Sequence, residues 1–258
     1  MAINLVIPAA GLGSRFRVTG VTTPKPLIQI EGIPMICWVI GNFQLQLDDK
    51  IFIIARKEDE LPENLDKFLG KFKENVEYIE IDELTDGAAT TLEFALRQIR
   101  SENPVLSVNS DQYISADLSS YLTLVRSREC AGQILLMSAT GDKWSYVERD
   151  INGKIINVVE KIQVSDEATV GIYGWRDSQT VLESIKAMKR EDFRVNGEFY
   201  VAPSYNYLKE NDNVIASSNI GEINTEVHGL GTPEDLEIFL ANPNLKKFAQ
   251  EVAKNLGI

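Results

Sequence analysis

Short apolar runs alternate with amphipathic stretches through the first half of the chain. Residues 3–8 predict a buried strand, and a long polar loop that opens with Gly11 and Gly13 follows it. Residues 34–45 have helical spacing, with Pro34 near the start. Residues 50–55 read as a second strand. Residues 61–72 read as a helix with Leu65, Phe68, Leu69 and Phe72 on one face. A third strand is expected over 76–81, a helix with a small-residue opening over 87–100, and a fourth strand over 104–108. That strand ends at Asn109-Ser110-Asp111-Gln112.

The texture changes after Gln133. Residues 134–139 form an expected strand. Residues 146–149 and 155–160 flank the turn Asp150-Ile151-Asn152-Gly153 and read as a hairpin. A strand over 169–175, helices over 179–188 and 198–209, and strands over 213–217 and 224–227 follow. Helices over 233–240 and 245–256 close the chain.

The strand–helix alternation implies an α/β fold. Its mixed sheet is mostly parallel and doubly wound in the Rossmann-like manner, with helices on both faces. Ligands of such sheets bind beyond the carboxyl ends of the strands, where the loops 9–25 and 109–112 are expected. With no repeat, linker or low-complexity tract, residues 1–258 read as one domain. Residues 1–140 and 141–230 would each supply one part of a two-part site, with 231–258 as the closing helices.

The charge of −12 gives no broad basic face for a nucleic acid or an anionic membrane. An anionic small molecule would need a local basic pocket or a metal ion. Cys37 and Cys130 read as buried free thiols of a reducing compartment, and His228 is the only histidine, which argues against a Cys/His zinc site. The first residues read as a strand rather than a signal peptide, and no run reaches membrane-spanning length, so a cytoplasmic location is expected. Oligomeric state, a homo-oligomer included, is left open.

The candidate chemistry lies in the first loop, Ala9-Ala10-Gly11-Leu12-Gly13-Ser14-Arg15-Phe16, with Thr23-Pro24-Lys25-Pro26 beyond it. Small residues let backbone N–H groups approach phosphate oxygens. Arg15 and Lys25 add cations that would stabilise a departing pyrophosphate. A glycine turn beside two solvated cations is the plain alternative. The loop is neither a dinucleotide fingerprint, lacking the third glycine, nor a Walker loop, lacking Gly-Lys-Ser/Thr.

This loop resembles the signature of the sugar-phosphate nucleotidyltransferases, Gly-x-Gly-x-Arg followed after a gap by Pro-Lys-Pro. The resemblance implies a GT-A-like fold and a site that binds a nucleoside triphosphate through Ala9, Ala10, Gly11, Gly13, Ser14 and Arg15, with Arg15 and Lys25 catalytic. It extends to Thr85-Asp86-Gly87-Ala88-Ala89-Thr90, where Gly87 and Ala88 would contact the base. A helix start capped by Asp86 is equally compatible with that segment. By resemblance Asp111 holds Mg²⁺, the implied cofactor, and contacts the nucleotide. Val159-Glu160-Lys161 is similar to the segment that binds the acceptor, Lys161 its phosphate and Glu160 its body. Gly171 would let the acceptor lie close to the backbone, and Glu198 would bind acceptor hydroxyls or cap a helix.

The segment Gly229-Leu230-Gly231-Thr232-Pro233-Glu234-Asp235-Leu236 resembles the family's late Asp-x-Gly-Thr stretch, but Gly229 stands where many members carry a second metal-binding Asp. Glu226 is nearby, although strand alternation puts Glu226 and His228 on the face opposite Gly229. His228 could contact a ligand or be structural. The departure points to an atypical member, close to the small cytidylyltransferases that feed capsule or other surface-polysaccharide decoration. The expected reaction joins a nucleoside triphosphate, CTP favoured, to a sugar 1-phosphate or a small non-sugar phosphate. Two other classes remain: a GT-A glycosyltransferase, which would carry Asp-x-Asp at residues 109–111, and a non-catalytic nucleotide sensor.

Overall fold

The computed structural model describes residues 1–99, 101–208 and 214–258. Its first half runs β1 (Asn4–Pro8), α1 (Ser14–Val18), β2 (Gln29–Ile30), β3 (Ile33–Pro34), α2 (Met35–Gly41), β4 (Lys50–Arg56), α3 (Leu61–Leu65), β5 (Val76–Ile81), α4 (Ala88–Gln98), β6 (Val105–Val108), β7 (Gln112–Ile114) and α5 (Ser119–Ser127). The second half runs β8 (Gly132–Ser138), β9 (Ser145–Arg149), β10 (Ile155–Glu160), β11 (Glu167–Trp175), α6 (Ser178–Arg190), β12 (Ile215–Glu222), β13 (Val227–Gly229), α7 (Pro233–Leu240) and α8 (Leu245–Leu256).

The central sheet has the order β10-β9-β11-β6-β1-β4-β5, with β8 beside β11 and β12 beside β8. β6, β1, β4 and β5 are all parallel. β11 runs antiparallel to β6, β8 and β9. β1 therefore has a neighbour reached in each direction, β4 on one side and β6 on the other. The chain reverses its winding between β1 and β6, and a ligand crevice opens at that switch point.

Strand alternation divides the core into two layers. Leu5, Ile7, Ile51, Ile53 and Leu106 pack with α2 and α8 on one face. Val6, Phe52, Ile54 and Val105 pack with α4 and α6 on the other. The doubly wound α/β reading thus describes the sheet. Among the described residues no helix is long and apolar enough to cross a membrane.

Several boundaries differ from the periodic reading, each for a local reason. The helix expected over 34–45 ends at Gly41, where a Cβ would press into Val252 of α8 at 2.7 Å. The helix expected over 61–72 ends at Leu65 and continues as 3-10 turns, and Gly70, with φ 49° and packed against the end of α8, keeps these from forming one continuous helix. Over 198–209 only Ala202–Leu208 is helical, as a 3-10 segment, and Lys209 lies outside the described residues. Arg100 and Asn213, assigned to the ends of a helix and a strand, also lie outside them. The strand expected over 224–227 starts only at Val227, since Asn224 turns with φ 64°. The first loop is not wholly irregular: Phe16 is buried and anchors α1. Cys37 is buried, its thiol pushed up to about 12 by desolvation, whereas Cys130 is only half-buried; both are free.

Candidate active site

Two adjoining cavities open at the switch point. The smaller, about 370 Å³, is lined by the loop from Pro8 to Ser14 together with Lys25, Thr85, Gly87, Ala88, Ser110 and Glu198. The larger, about 500 Å³, is lined by Arg15, Asp111, Lys143, Trp144, Glu160, Lys161, Gly171, Tyr200, Gly229, Gly231 and Asp235, among others. Both volumes suit small polar molecules. The expected site residues thus converge, although they come from stretches far apart along the chain.

The first loop leaves β1 through Ala9, whose N–H donates to Ile54 O at 2.7 Å. Among the described residues the N–H groups of Gly11, Leu12 and Gly13 donate to no protein acceptor. A Cβ at Gly11 would meet nothing within 4 Å, so its bareness leaves open space rather than protein packing. Gly13 is different: it takes φ 60° and precedes α1, 3.1 Å from Lys25 if it bore a Cβ. Lys25 begins a 3-10 turn that follows Pro24, which orients its side chain back toward the loop. Its ammonium forms an ion pair with the Asp111 carboxylate, a contact across the crevice between the loops that follow β1 and β6. Arg15, expected with the loop's phosphate-facing backbone, lines the larger cavity.

Asp111 leaves β6 where the chain turns into β7. The N–H of Leu230 donates to Asp111 O at 2.8 Å, and Gly229 pairs with Gln112, so β13 is bound to this turn. Gln112 is buried, and its side-chain Nε2 has no protein partner. Gly171 takes φ 84°, and a Cβ there would overlap the Asn109 amide and sit 2.8 Å from Gln112 Oε1. The glycine thus makes room for Asn109 and Gln112, a packing requirement not visible in the sequence.

Gly87 has a comparable origin. It takes φ 130°, and a Cβ would meet the Phe199 backbone N at 2.6 Å. Phe199 N donates to Asp86 O at 2.8 Å, and Ala89 N donates to Phe199 O at 3.0 Å. These bonds tie the start of α4 to the 198–200 stretch and bring Glu198 into the smaller cavity, not the larger one expected for it. Asp86 does not cap α4. It accepts from Thr90 Oγ1 at 2.5 Å and pairs with Arg194 at 3.0 Å.

At the far end of the larger cavity, Lys161 takes φ 59° and is anchored by its N–H to Trp144 O at 2.9 Å. Its ammonium bonds the Tyr200 hydroxyl and lies 4.3 Å from that ring's centre. Glu160 is only 6% exposed and accepts from Ser145 Oγ. Burial raises its pKa; the Ser145 hydrogen bond and the Lys161 charge oppose that, and Glu198 adds to it. Trp144 is covered by Lys143, 4.9 Å from the ring centre. Sequence reading did not single out Lys143, Trp144, Tyr200 or Asp235. Asp235 lay inside a quoted motif and Tyr200 two residues beyond Glu198, whereas no spacing marked Lys143 and Trp144.

His228 is structural. It is 2% exposed and sits among Tyr113, Phe239 and Phe248, with ring centres 5.1–6.0 Å away. Burial lowers its pKa, favouring the neutral ring. Glu226 belongs to the turn before β13, where its Oε2 accepts from Glu222 N at 2.9 Å.

The model of the nucleotidyl transferase family matches residues 4–203, well over half of the chain and most of the two cavities' lining. The chain belongs to this family. A 2-aminoethylphosphonate cytidylyltransferase of Lancefieldella rimae is 30% identical over 161 residues. That match spans 60% of this chain and 60% of the relative's length. The crystal structure of a nucleoside-diphosphate-sugar pyrophosphorylase from Vibrio cholerae RC9 superposes with a TM-score of 0.77 at 25% identity, covering 92% of this chain and all of that one. The inositol-1-phosphate CTP transferase from T. maritima superposes with a TM-score of 0.71 at 14% identity over 97% of this chain and 96% of its own, a likeness of fold.

Proposed function

We propose that the chain transfers a nucleotidyl group from a nucleoside triphosphate, CTP by preference, to an oxygen of a small phosphorylated or phosphonylated acceptor. The acceptor oxygen attacks the α-phosphorus, the bond from that phosphorus to the α–β bridging oxygen breaks, and pyrophosphate leaves with the electron pair. The observation that carries this reading is the Lys25–Asp111 pair spanning the switch point between an open glycine loop and an acceptor-sized cavity. Such chemistry needs no protein nucleophile; positioning and charge neutralisation suffice.

In this reading the small cavity holds the nucleoside and phosphates. The backbone through Ala9, Ala10, Gly11, Gly13 and Ser14 faces the phosphates, and Gly87 and Ala88 border the base. Lys25 neutralises charge on the reacting phosphoryl group, and Arg15, at the edge of the larger cavity, faces charge shared with the acceptor. Lys161 holds the acceptor phosphate, with Glu160, Gly171 and Tyr200 around its body. Glu198 borders the nucleoside. The hard carboxylate oxygens of Asp111, lying against a Gly231 with no Cβ, fit a divalent cation, and Asp111 would hold it. Mg²⁺, when bound, would supply positive charge to the phosphate oxygens. The relative from L. rimae supports CTP and an amine-bearing phosphonate. A nucleotide-linked product of this kind would serve as donor to a transferase that decorates a capsule or other surface polysaccharide.

Pyrophosphate release tests the reading. CTP, ATP, GTP and UTP are each paired with 2-aminoethylphosphonate, phosphocholine, glucose 1-phosphate and inositol 1-phosphate. Release is expected only with both substrates, and fastest with CTP and an amine-bearing acceptor. Release with no triphosphate–acceptor pair would overturn it.

A further inference from the structure

Gly229 and Gly231 both line the larger cavity at the end of β13, two residues apart. Each faces a carboxylate that comes from elsewhere. A Cβ at Gly231 would overlap Asp111 Oδ2, and the Lys25 ammonium lies 3.6 Å from the same point. A Cβ at Gly229 would lie 3.3 Å from the carboxyl carbon of Asp235 and 3.4 Å from its Oδ2. The Asp235 carboxylate therefore lies in close contact with the point where a side chain at residue 229 would begin.

The first turn of α7 fixes that carboxylate. Thr232 is the N-cap, and its Oγ1 accepts from Asp235 N at 3.0 Å. Asp235 Oδ1 receives the Lys143 ammonium at 2.9 Å, as Asp111 receives that of Lys25. Both carboxylates thus line one cavity with a single lysine as partner. Of the other carboxylates nearby, Glu226 accepts from its own turn and Glu160 is held by Ser145, while Asp142 lines the same cavity but is exposed beside Lys143.

We propose that Asp235 holds the divalent cation together with Asp111, its carboxylate reaching in from α7 over the bare Gly229. This rests on the nucleotidyl-transfer reading. Two carboxylates leave the remaining positions to phosphate oxygens and water, a donor set suited to Mg²⁺. The same geometry predicts a swap: Gly229→Asp in an Asp235→Ala background puts a new carboxylate beside the space Asp235 vacates.

Mn²⁺ binding at the site, read without turnover as the enhancement of water-proton relaxation over that of Mn²⁺ with the same triphosphate and no protein, tests this. It is measured with each of the four nucleoside triphosphates, in wild type, Asp111→Asn, Asp235→Asn, Asp235→Ala and Gly229→Asp/Asp235→Ala. Asp235→Asn and Asp111→Asn are expected to weaken Mn²⁺ binding at least about tenfold, as loss of a supporting group alone does. The double variant is expected to regain most of what Asp235→Ala loses. Wild-type affinity in Asp235→Asn, with the loss confined to Asp111→Asn, overturns the role of Asp235 alone. Loss in Asp235→Asn with no recovery in a folded double variant also overturns it. No Mn²⁺ bound by the wild type with any triphosphate, or none lost in Asp111→Asn, overturns the underlying reading of the site.

Discussion

Gly11, Gly87 and Gly171 are glycines for different physical reasons. Gly11 borders open space, so its missing side chain serves whatever enters the cavity. Gly87 and Gly171 are bare because Phe199 and Asn109 already fill the space. The sequence marked all three alike, since a glycine in a motif does not record what lies against it. The charged residues divide in the same way. Lys25 and Asp111 meet across the crevice, and replacing Lys25 by Met or Asp111 by Asn should cut turnover by about 10²–10³, as loss of one group stabilising transition-state charge does. Circular dichroism and the unfolding temperature should change little, because neither side chain belongs to the core. Glu160 carries a pH signature. Its carboxyl is raised in the folded state, chiefly by burial, so the folded protein binds its proton more tightly than the unfolded chain does. Stability is therefore lost as pH rises from the usual carboxylate value through the raised one. Glu160→Gln should remove this loss. Unfolding temperatures of the two proteins should diverge in the variant's favour across that window, and a constant difference with pH would contradict the assignment.

Elements were legible where one face repeats against the core and illegible where tertiary contacts set the end. The strands of residues 4–8, 50–56 and 76–81 and the hairpin of β9 and β10 follow directly from apolar runs and turn residues. Helix α8 follows from its stripe of Leu245, Phe248, Val252 and Leu256. The break at Gly70 depends on contact with the end of α8, far along the chain, and so could not be read locally. Helices α1 and α5 were missed because their apolar stripes are short: only Phe16 is buried in α1, and Tyr121, Leu122 and Val125 in α5. Helix α6 offers a test at this scale. Asp177 caps it by accepting from Thr180 N at 2.8 Å and also pairs with Arg128 at 3.3 Å. Asp177→Ala should cost about 1 kcal/mol, measured by urea unfolding, while leaving turnover intact because α6 packs behind the cavities.

At the scale of the whole molecule, winding reversal between β1 and β6 decides where chemistry can occur. It brings the two most unusual loops of the first half together, and the antiparallel strands of the second half close the larger cavity from the other side. The nucleotide end was legible because its glycine loop, Ala9 to Arg15, is contiguous in sequence and Lys25 follows within a short motif. The acceptor end was only partly so: Lys143 and Trp144 come from the loop before β9, and Asp235 from α7, and only folding brings them together. The central claim is that α-phosphorus passes to the acceptor while pyrophosphate departs. It is tested most directly by phosphorus NMR of wild-type protein with CTP, Mg²⁺ and 2-aminoethylphosphonate. The account predicts equal amounts of free pyrophosphate and of a new phosphonate–phosphate anhydride that retains the α-phosphorus, and neither when the acceptor is omitted. Pyrophosphate released without an acceptor, or cytidine diphosphate in its place, would contradict it.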